Sequence, residues 1–373
     1  MRHYAKWLSI FHNQHNDFTE HPKNGTMTNE VNALAYHLYC DDIRVASFDY
    51  ERGTILSFRP EKPELLPMQI RNASAEMFTL WLQERAIDLN TFVHRELMHN
   101  LLGSRDRIAI AILTNMFSIT DAFRCFKENV FMPRNQLWSK DTQDAVSDFV
   151  LVSSDTSLRL RSQVTPNAST DGSFPKTWKF ENGAWWLYKL QSEEATRSEE
   201  AISKALRACG WDAAEYAYND NNLALIKSKN FVGKDEFFEP YESLRYMFDD
   251  RSDADAVIYA NICSLGAYFE KAFRRILLAD ALFMNTDRHM RNFGIIRCAK
   301  TGELLRMAPN FDNNQAYKAM KGTTYGPAML RAFQLEFGIT KDDHDDLHAL
   351  ASVCRAIPYL YDVGKAVGDF LAH

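Results

Sequence analysis

Asn285-Thr286-Asp287-Arg288-His289-Met290-Arg291-Asn292 sets a carboxylate, Asp287, five residues ahead of a carboxamide, Asn292. Phosphoryl transfer asks little covalent chemistry of a protein. It needs a hydroxyl held in line and metal ions that neutralise phosphate charge. Asp287 near the hydroxyl and Asn292 as a metal ligand would meet both needs from one loop. Upstream, Asp253 to Met284 predicts one or two core helices. Downstream, strands near Phe293–Arg297 and Leu304–Met307 are predicted around Lys300-Thr301-Gly302-Glu303, and Asp312 follows where that hairpin ends. A hard cation such as Mg²⁺ takes oxygen ligands, so Asn292 and Asp312 form the candidate metal pair. Asp and Asn are also common turn residues. A helix before, a hairpin after and a second Asp in order lift this instance above chance spacing.

A phosphotransfer site also needs groups for the nucleotide, and these are expected upstream. Thr165–Ser173 is the most loop-like segment of the chain. Strands are predicted at Trp178–Phe180 and Ala184–Leu190 around Asn182-Gly183, a strong hairpin signal. Lys189 ends the second strand, where kinases place an ammonium on the α- and β-phosphates. The next helix, with Ala201, Ile202, Ala205 and Leu206 on one face, carries Glu199 and Glu200, either of which could pair with Lys189; Glu199 is the candidate. The loop Ser169–Lys176 could cover the phosphates through Ser169, Thr170 and Gly172. Its single glycine makes a backbone cradle less evident, and Lys176 would serve as a second cation. Ala214–Tyr218 and Leu223–Ile226 predict another hairpin. The order strand–strand–helix–strand–strand points to an antiparallel sheet carrying one helix.

The 373 residues are 46% apolar, 13% aromatic and 25% charged, a globular composition with length enough for several packed units. The net charge of −6 argues against a general nucleic-acid or anionic-membrane binder. The apolar stretches Ile108–Thr120 and Val257–Phe269 fall short of the roughly 20 residues that span a bilayer. Six scattered cysteines with no CxxC pair fit a reducing, cytoplasmic setting. Strands are predicted at Ile43–Phe48 and Thr54–Phe58, then helices through residues 75–130, with a helix N-cap at Ser118 or Thr120-Asp121. Near the C-terminus Thr340 and Asp343 predict a capping box. The Asp342–His348 run is expected to be an acidic first helical turn and not a metal cluster.

These residues together resemble the HipA-like serine/threonine kinase family. Asn285–Gly294 resembles its N-x-D-R-H-x-x-N-F-G catalytic loop, and Ala308-Pro309-Asn310-Phe311-Asp312-Asn313 its A-P-x-x-D metal segment. Ser169-Thr170-Asp171-Gly172 with Lys176 and Trp178 resembles its phosphate loop, and Tyr188-Lys189-Leu190 its nucleotide lysine strand. Leu225–Phe231 resembles the lobe connection, where backbone around Lys227 to Lys229 would meet adenine, with Lys227 and Ser228 as the candidates. The resemblance covers about residues 165–320 and extends loosely to Trp81–Arg85 and Ser118–Asp121. It implies an α+β, two-lobed protein-kinase-like fold, with a small antiparallel-sheet N-lobe, a helical C-lobe and an N-terminal accessory region. The expected units are 1–148, 149–233 and 234–373. The implied activity is transfer from ATP with Mg²⁺ to serine or threonine of a protein substrate. Family members include toxins that act on a translation component, pair with a DNA-binding antitoxin and self-phosphorylate in the phosphate loop; Ser169 and Thr170 are the candidates here. No direct nucleic-acid contact and no membrane association are expected. The alternatives are a phosphoinositide-type lipid kinase, whose loop also carries D-R-H-x-x-N, and a pseudokinase or partner-binding scaffold.

Overall fold

The computed structural model describes residues 34–90, 92–152, 164–169, 174–219, 222–316 and 325–372. The chain has a two-lobed protein-kinase-like α+β fold with an N-terminal accessory region. That region is built on β1 (Leu34–Cys40), β2 (Ile43–Glu51), β3 (Thr54–Pro60) and β4 (Phe123–Lys127), an antiparallel sheet in the order β3-β2-β1-β4. Arg52 and Gly53, both at positive φ, turn the chain between β2 and β3. Helices α1 (Ala75–Arg85), α2 (Phe92–Leu102) and α3 (Arg107–Leu113) follow. The face of α1 carrying Phe78 and Trp81 packs on the sheet, with Phe58 and Phe78 stacked at 4.1 Å.

The expected run of helices through residue 130 stops early. Asn115 and Met116 adopt left-handed backbone, which ends the helical path. Asp121, expected at a helix N-cap, instead accepts the Phe123 amide at 2.8 Å and grips Arg85. Strand β4 then begins. Its Phe123-Arg124-Cys125-Phe126 is buried on both faces, so its sequence carries no two-residue alternation to mark it.

Helix α4 (Lys140–Val152) leads from the accessory region into the N-lobe, which holds β5 (Lys176–Glu181), β6 (Ala184–Leu190), α5 (Glu193–Ala208), β7 (Tyr216–Asn219) and β8 (Asn222–Lys229). Its antiparallel sheet runs β5-β6-β8-β7. Asn182 and Gly183, at φ +50° and +79°, make the tight turn that sets the β5–β6 register. Ser192 caps α5 through the Ala195 amide.

The C-lobe holds β9 (Glu236–Pro240), α6 (Tyr241–Leu244), α7 (Asp255–Cys263), α8 (Ala267–Phe283), β10 (Gly294–Cys298), β11 (Leu304–Met307), α9 (Tyr325–Phe337), α10 (Lys341–Ala356) and α11 (Tyr361–Leu371). Strand β9, which local patterning did not reveal, pairs with β10 to make a three-stranded sheet. The Thr340–Asp343 capping box is present. The acidic run docks α10 on α8 through Asp342–Lys271, Asp343–Arg274 and Asp346–Arg275. Among the described residues no group of three His, Cys, Asp or Glu could hold a metal, and no helix is long and apolar enough to cross a membrane.

The accessory region is locked to the C-lobe by one buried cation. Arg297 is fully inaccessible to solvent. It pairs with Glu239 at 2.5 Å and donates to the carbonyls of Leu66 (3.0 Å), Glu64 (2.8 Å) and Gly302 (3.0 Å). Glu239 also accepts the Met68 amide, and the Phe238 amide donates to the Thr120 carbonyl at 2.8 Å. The contact is so close at Gly302 that a Cβ there would lie 2.1 Å from the Glu64 carbonyl oxygen. Residues 64–69 and 118–121 are thereby fixed as one wall of a cleft that His289, Arg291 and Asn292 also line.

Candidate active site

Helix α8 ends at Phe283, with Met284 in left-handed backbone turning the chain into the 285–292 loop. Arg288 organises that loop from within. Its guanidinium forms a two-pronged pair with Asp280 of α8, both contacts at 2.9 Å. It also donates to the carbonyls of Asn292 (2.8 Å) and Phe311 (2.7 Å) and to the side-chain oxygen of Asn313 (3.1 Å). One buried side chain therefore sets the spacing between the Asn292 loop and the Asp312 segment. A fork of five fixed donors suits this task and an ammonium does not. Neither Arg288 nor Asp280 was among the residues singled out by sequence. Arg288 lay inside the quoted motif, but its partner Asp280 sits outside it, in the last turn of α8.

Asn292 donates its amide to the Asp287 carbonyl at 3.1 Å. This orients the side chain, and its amide oxygen meets no protein donor among the described residues. Asp312 stands in left-handed backbone, φ +60°, and its amide donates to the Tyr216 hydroxyl at 3.0 Å. One Asp312 oxygen accepts Lys189 at 2.7 Å. The other accepts no hydrogen bond from a described residue. One amide oxygen and one carboxylate oxygen fit Mg²⁺, which usually takes one or two protein oxygens and fills its remaining positions with phosphates and water.

Lys189 bridges Asp312 and Glu199, the latter at 3.0 Å, and Gln191 holds the second Glu199 oxygen at 2.8 Å. Glu200 is occupied elsewhere, by Lys204. The β5–β6 register sets Lys176 directly across from Lys189, so both lysines share the face turned to Asp312. Burial works against the charge on each member of this group. For Lys189 the neighbouring Asp312 and Glu199 outweigh burial and raise its pKa. For Asp312 burial is likewise outweighed, by Lys189, Lys176 and Arg288, and its carboxyl is held well below the usual range. Glu199 moves the other way: its complete burial raises its pKa despite Lys189. Burial also raises Asp287, with Asp312 adding like charge and His289 opposing.

A cleft of about 370 Å³ runs between the lobes. Lys176, Lys189, Glu199, Ser228, Asn292, Asp312 and Ser169 all line it, beside an apolar slot of Trp178, Leu187, Ala214, Ile226 and Phe231. Asp287 is not itself on the lining; its neighbours His289, Arg291 and Asn292 are. Thr170 and Gly172 lie outside the described residues. Ser169 does not offer its hydroxyl to the cleft, since it donates to the Phe117 carbonyl at 2.5 Å. Lys227 does not join the group. It sits across from Tyr188, one residue off the Lys189 register, so its side chain leaves by the opposite face of the sheet. There it pairs with Glu181 at 3.0 Å and lies over Trp186 and Tyr188. Its backbone is held between β6 and β7, and Ser228 takes the cleft-facing position instead.

Comparison with a solved structure agrees with this architecture. The chain superposes on HipA of the Shewanella oneidensis MR-1 toxin–antitoxin system, solved with HipB and its operator DNA. The TM-score is 0.56 at 12% identity, covering 90% of this chain and 95% of HipA. The proinflammatory kinase CtkA of Helicobacter pylori also matches, with TM-score 0.38 at 17% identity over 53% of this chain and 88% of CtkA. No family model and no curated relative matches the sequence. The likeness to HipA is one of fold.

Proposed function

We propose that the chain is an ATP- and Mg²⁺-dependent protein kinase that phosphorylates serine or threonine. The observation that carries this is the convergence, in one interlobe cleft, of the Lys189–Glu199 pair with Asn292 and Asp312. The apolar slot beside Ser228 suits a purine ring, and Lys189 and Lys176 supply positive charge to the phosphates. Glu199 and Gln191 keep Lys189 in place. A bound Mg²⁺, held by Asn292 and Asp312, would neutralise phosphate charge as the γ-phosphoryl group is transferred. Asp287 orients the acceptor hydroxyl and takes its proton; burial makes it a stronger base than an exposed aspartate. Arg288 holds these loops in register.

The HipA fold supports a finer reading, in which the chain is a toxin-type kinase with a protein antitoxin partner and a substrate in the translation machinery. HipA is solved in complex with operator DNA, so the expectation of no nucleic-acid contact is left without support. Self-phosphorylation at Ser169 would first require release of its hydroxyl from Phe117, and Thr170 remains the second candidate. The units 1–148, 149–233 and 234–373 are retained as the proposed division, in a cytoplasmic protein.

The test is mass spectrometry of the purified chain after incubation with ATP and Mg²⁺, wild type against Asp312→Ala. Phosphate on the wild type alone, or on an added protein acceptor, is expected. Equal labelling of both would refute the assignment.

A further inference from the structure

The cleft does not end at the catalytic loop. Past His289 and Arg291 it continues along the accessory region, where Pro67, Gln69, Glu84, Arg85 and Asp121 face Glu242. The Arg297–Glu239 lock holds this wall in place without a ligand. On the kinase reading a nucleotide would take the Lys189 and Asp312 part of the cleft, and the acceptor would be left the lining beyond His289 and Arg291.

The charges along this end are nearly all matched internally. Arg85 takes Asp121, Arg291 takes Glu242 at 2.5 Å, and Arg297 takes Glu239. Glu84 is the exception. It forms no ion pair among the described residues, and its one hydrogen bond comes from the neutral Gln69 amide at 3.0 Å. Gln69 is itself buried, so the carboxylate is held in a set direction by a fixed donor. Burial is the main force raising the Glu84 pKa, and the like charge of Glu242 adds to it while Arg291 and Arg107 oppose. Glu84 is half-buried and has no ion-pair partner among the described residues, and such a carboxylate gains when a cation arrives with the ligand.

We infer that Glu84 is a specificity residue: it receives a lysine or arginine side chain of the acceptor polypeptide, close in sequence to the phosphorylated serine or threonine. This rests on the kinase reading above and adds a substrate class to it. The accessory region thus supplies one wall of the acceptor site, and substrate choice is made outside the nucleotide-binding lobe. Glu242 and Arg291, already paired, border the subsite without occupying it.

The test is a serine/threonine acceptor peptide library scanned at each flanking position, with kcat/KM compared for lysine and norleucine at the same place. Wild type should favour lysine at one position by roughly tenfold or more, the scale of about 1.4 kcal/mol. Glu84→Gln, which can still hydrogen bond Gln69, should collapse that ratio towards one. Glu84→Lys should reverse it towards peptides with glutamate there. Only the ratio within each variant is read, so partial loss of folded protein does not obscure the outcome. Peptide labelling without a basic preference, or a preference that survives Glu84→Gln, overturns the inference while leaving the kinase reading intact. Absence of any phosphotransfer by wild type, to peptide or to itself, overturns the kinase reading and the inference with it.

Discussion

Arg288→Lys separates the positioning role of this residue from its charge. The substitution keeps a cation opposite Asp280 but replaces five fork-like donors with three on one nitrogen. In the native site the guanidinium reaches Asp280 twice at 2.9 Å, the Asn292 carbonyl at 2.8 Å, the Phe311 carbonyl at 2.7 Å and the Asn313 amide oxygen at 3.1 Å. An ammonium on a shorter, single-headed stem can hold Asp280 and at most one of the remaining acceptors. At least one buried carbonyl then loses its donor, at about 1–3 kcal/mol for each group left unsatisfied, so the fold should lose about 3 kcal/mol. The larger consequence concerns geometry. Asn292 and Asp312 are brought together across this side chain, and misplacement on the order of 1 Å costs about 10²-fold in rate. Urea titration should show the stability loss. Single-turnover phosphotransfer, corrected for folded fraction, should fall by about 10²-fold with nucleotide affinity much less affected. A double-mutant cycle with Asp280→Asn should give a coupling energy above about 0.5 kcal/mol. If the folded fraction of Arg288→Lys transfers phosphate at the wild-type rate, the clamp does not position the site and the reasoning fails.

Two further outcomes follow from the same geometry. As the proposed base Asp287 would work only when ionised, and burial raises its pKa above 3.8. Activity is therefore present above the raised value and lost as pH falls through it, so the acid limb of kcat/KM should lie clearly above pH 3.8 while circular dichroism still reports a folded chain. A limb at or below the ordinary aspartate value contradicts the assignment. Gly302→Ala should cost more than Gly210→Ala, because both positions have positive φ but only at Gly302 would the new Cβ meet a backbone oxygen, Glu64 at 2.1 Å. The Gly210 change should cost about 1–2 kcal/mol from left-handed strain alone, and thermal melts showing equal losses would argue against the tight docking of the accessory region.

Local chemistry made much of the chain legible. Asn182-Gly183 named its hairpin because few residues other than Asn and Gly tolerate two successive positive φ values. Thr340 and Asp343 announced their helix because a capping box closes within four residues. Lys189, Asn292 and Asp312 were readable as chemical types in a fixed order, and the structure brings all three to one cleft. Strands β4 and β9 were not readable. Their burial depends on neighbours contributed by distant segments, so neither carries a pattern of its own. Lys227 shows the same limit on a finer scale: a one-residue step along β8 selects the face of the sheet, and only the register with β6 decides it.

Residue order and residue type were enough to assemble a candidate set of phosphate, metal and hydroxyl groups, since those roles depend on what each side chain is. Tertiary structure decided which of them meet. It chose Glu199 over Glu200 for Lys189, turned Lys227 away and drew the Ser169 hydroxyl to Phe117. It also revealed Arg288 as the tie between two loops and Glu84 as a carboxylate of the cleft with no ion pair among the described residues. These outcomes rest on contacts between residues as much as 123 positions apart, and the direction of a buried side chain is set by the partners that surround it more than by its neighbours along the chain.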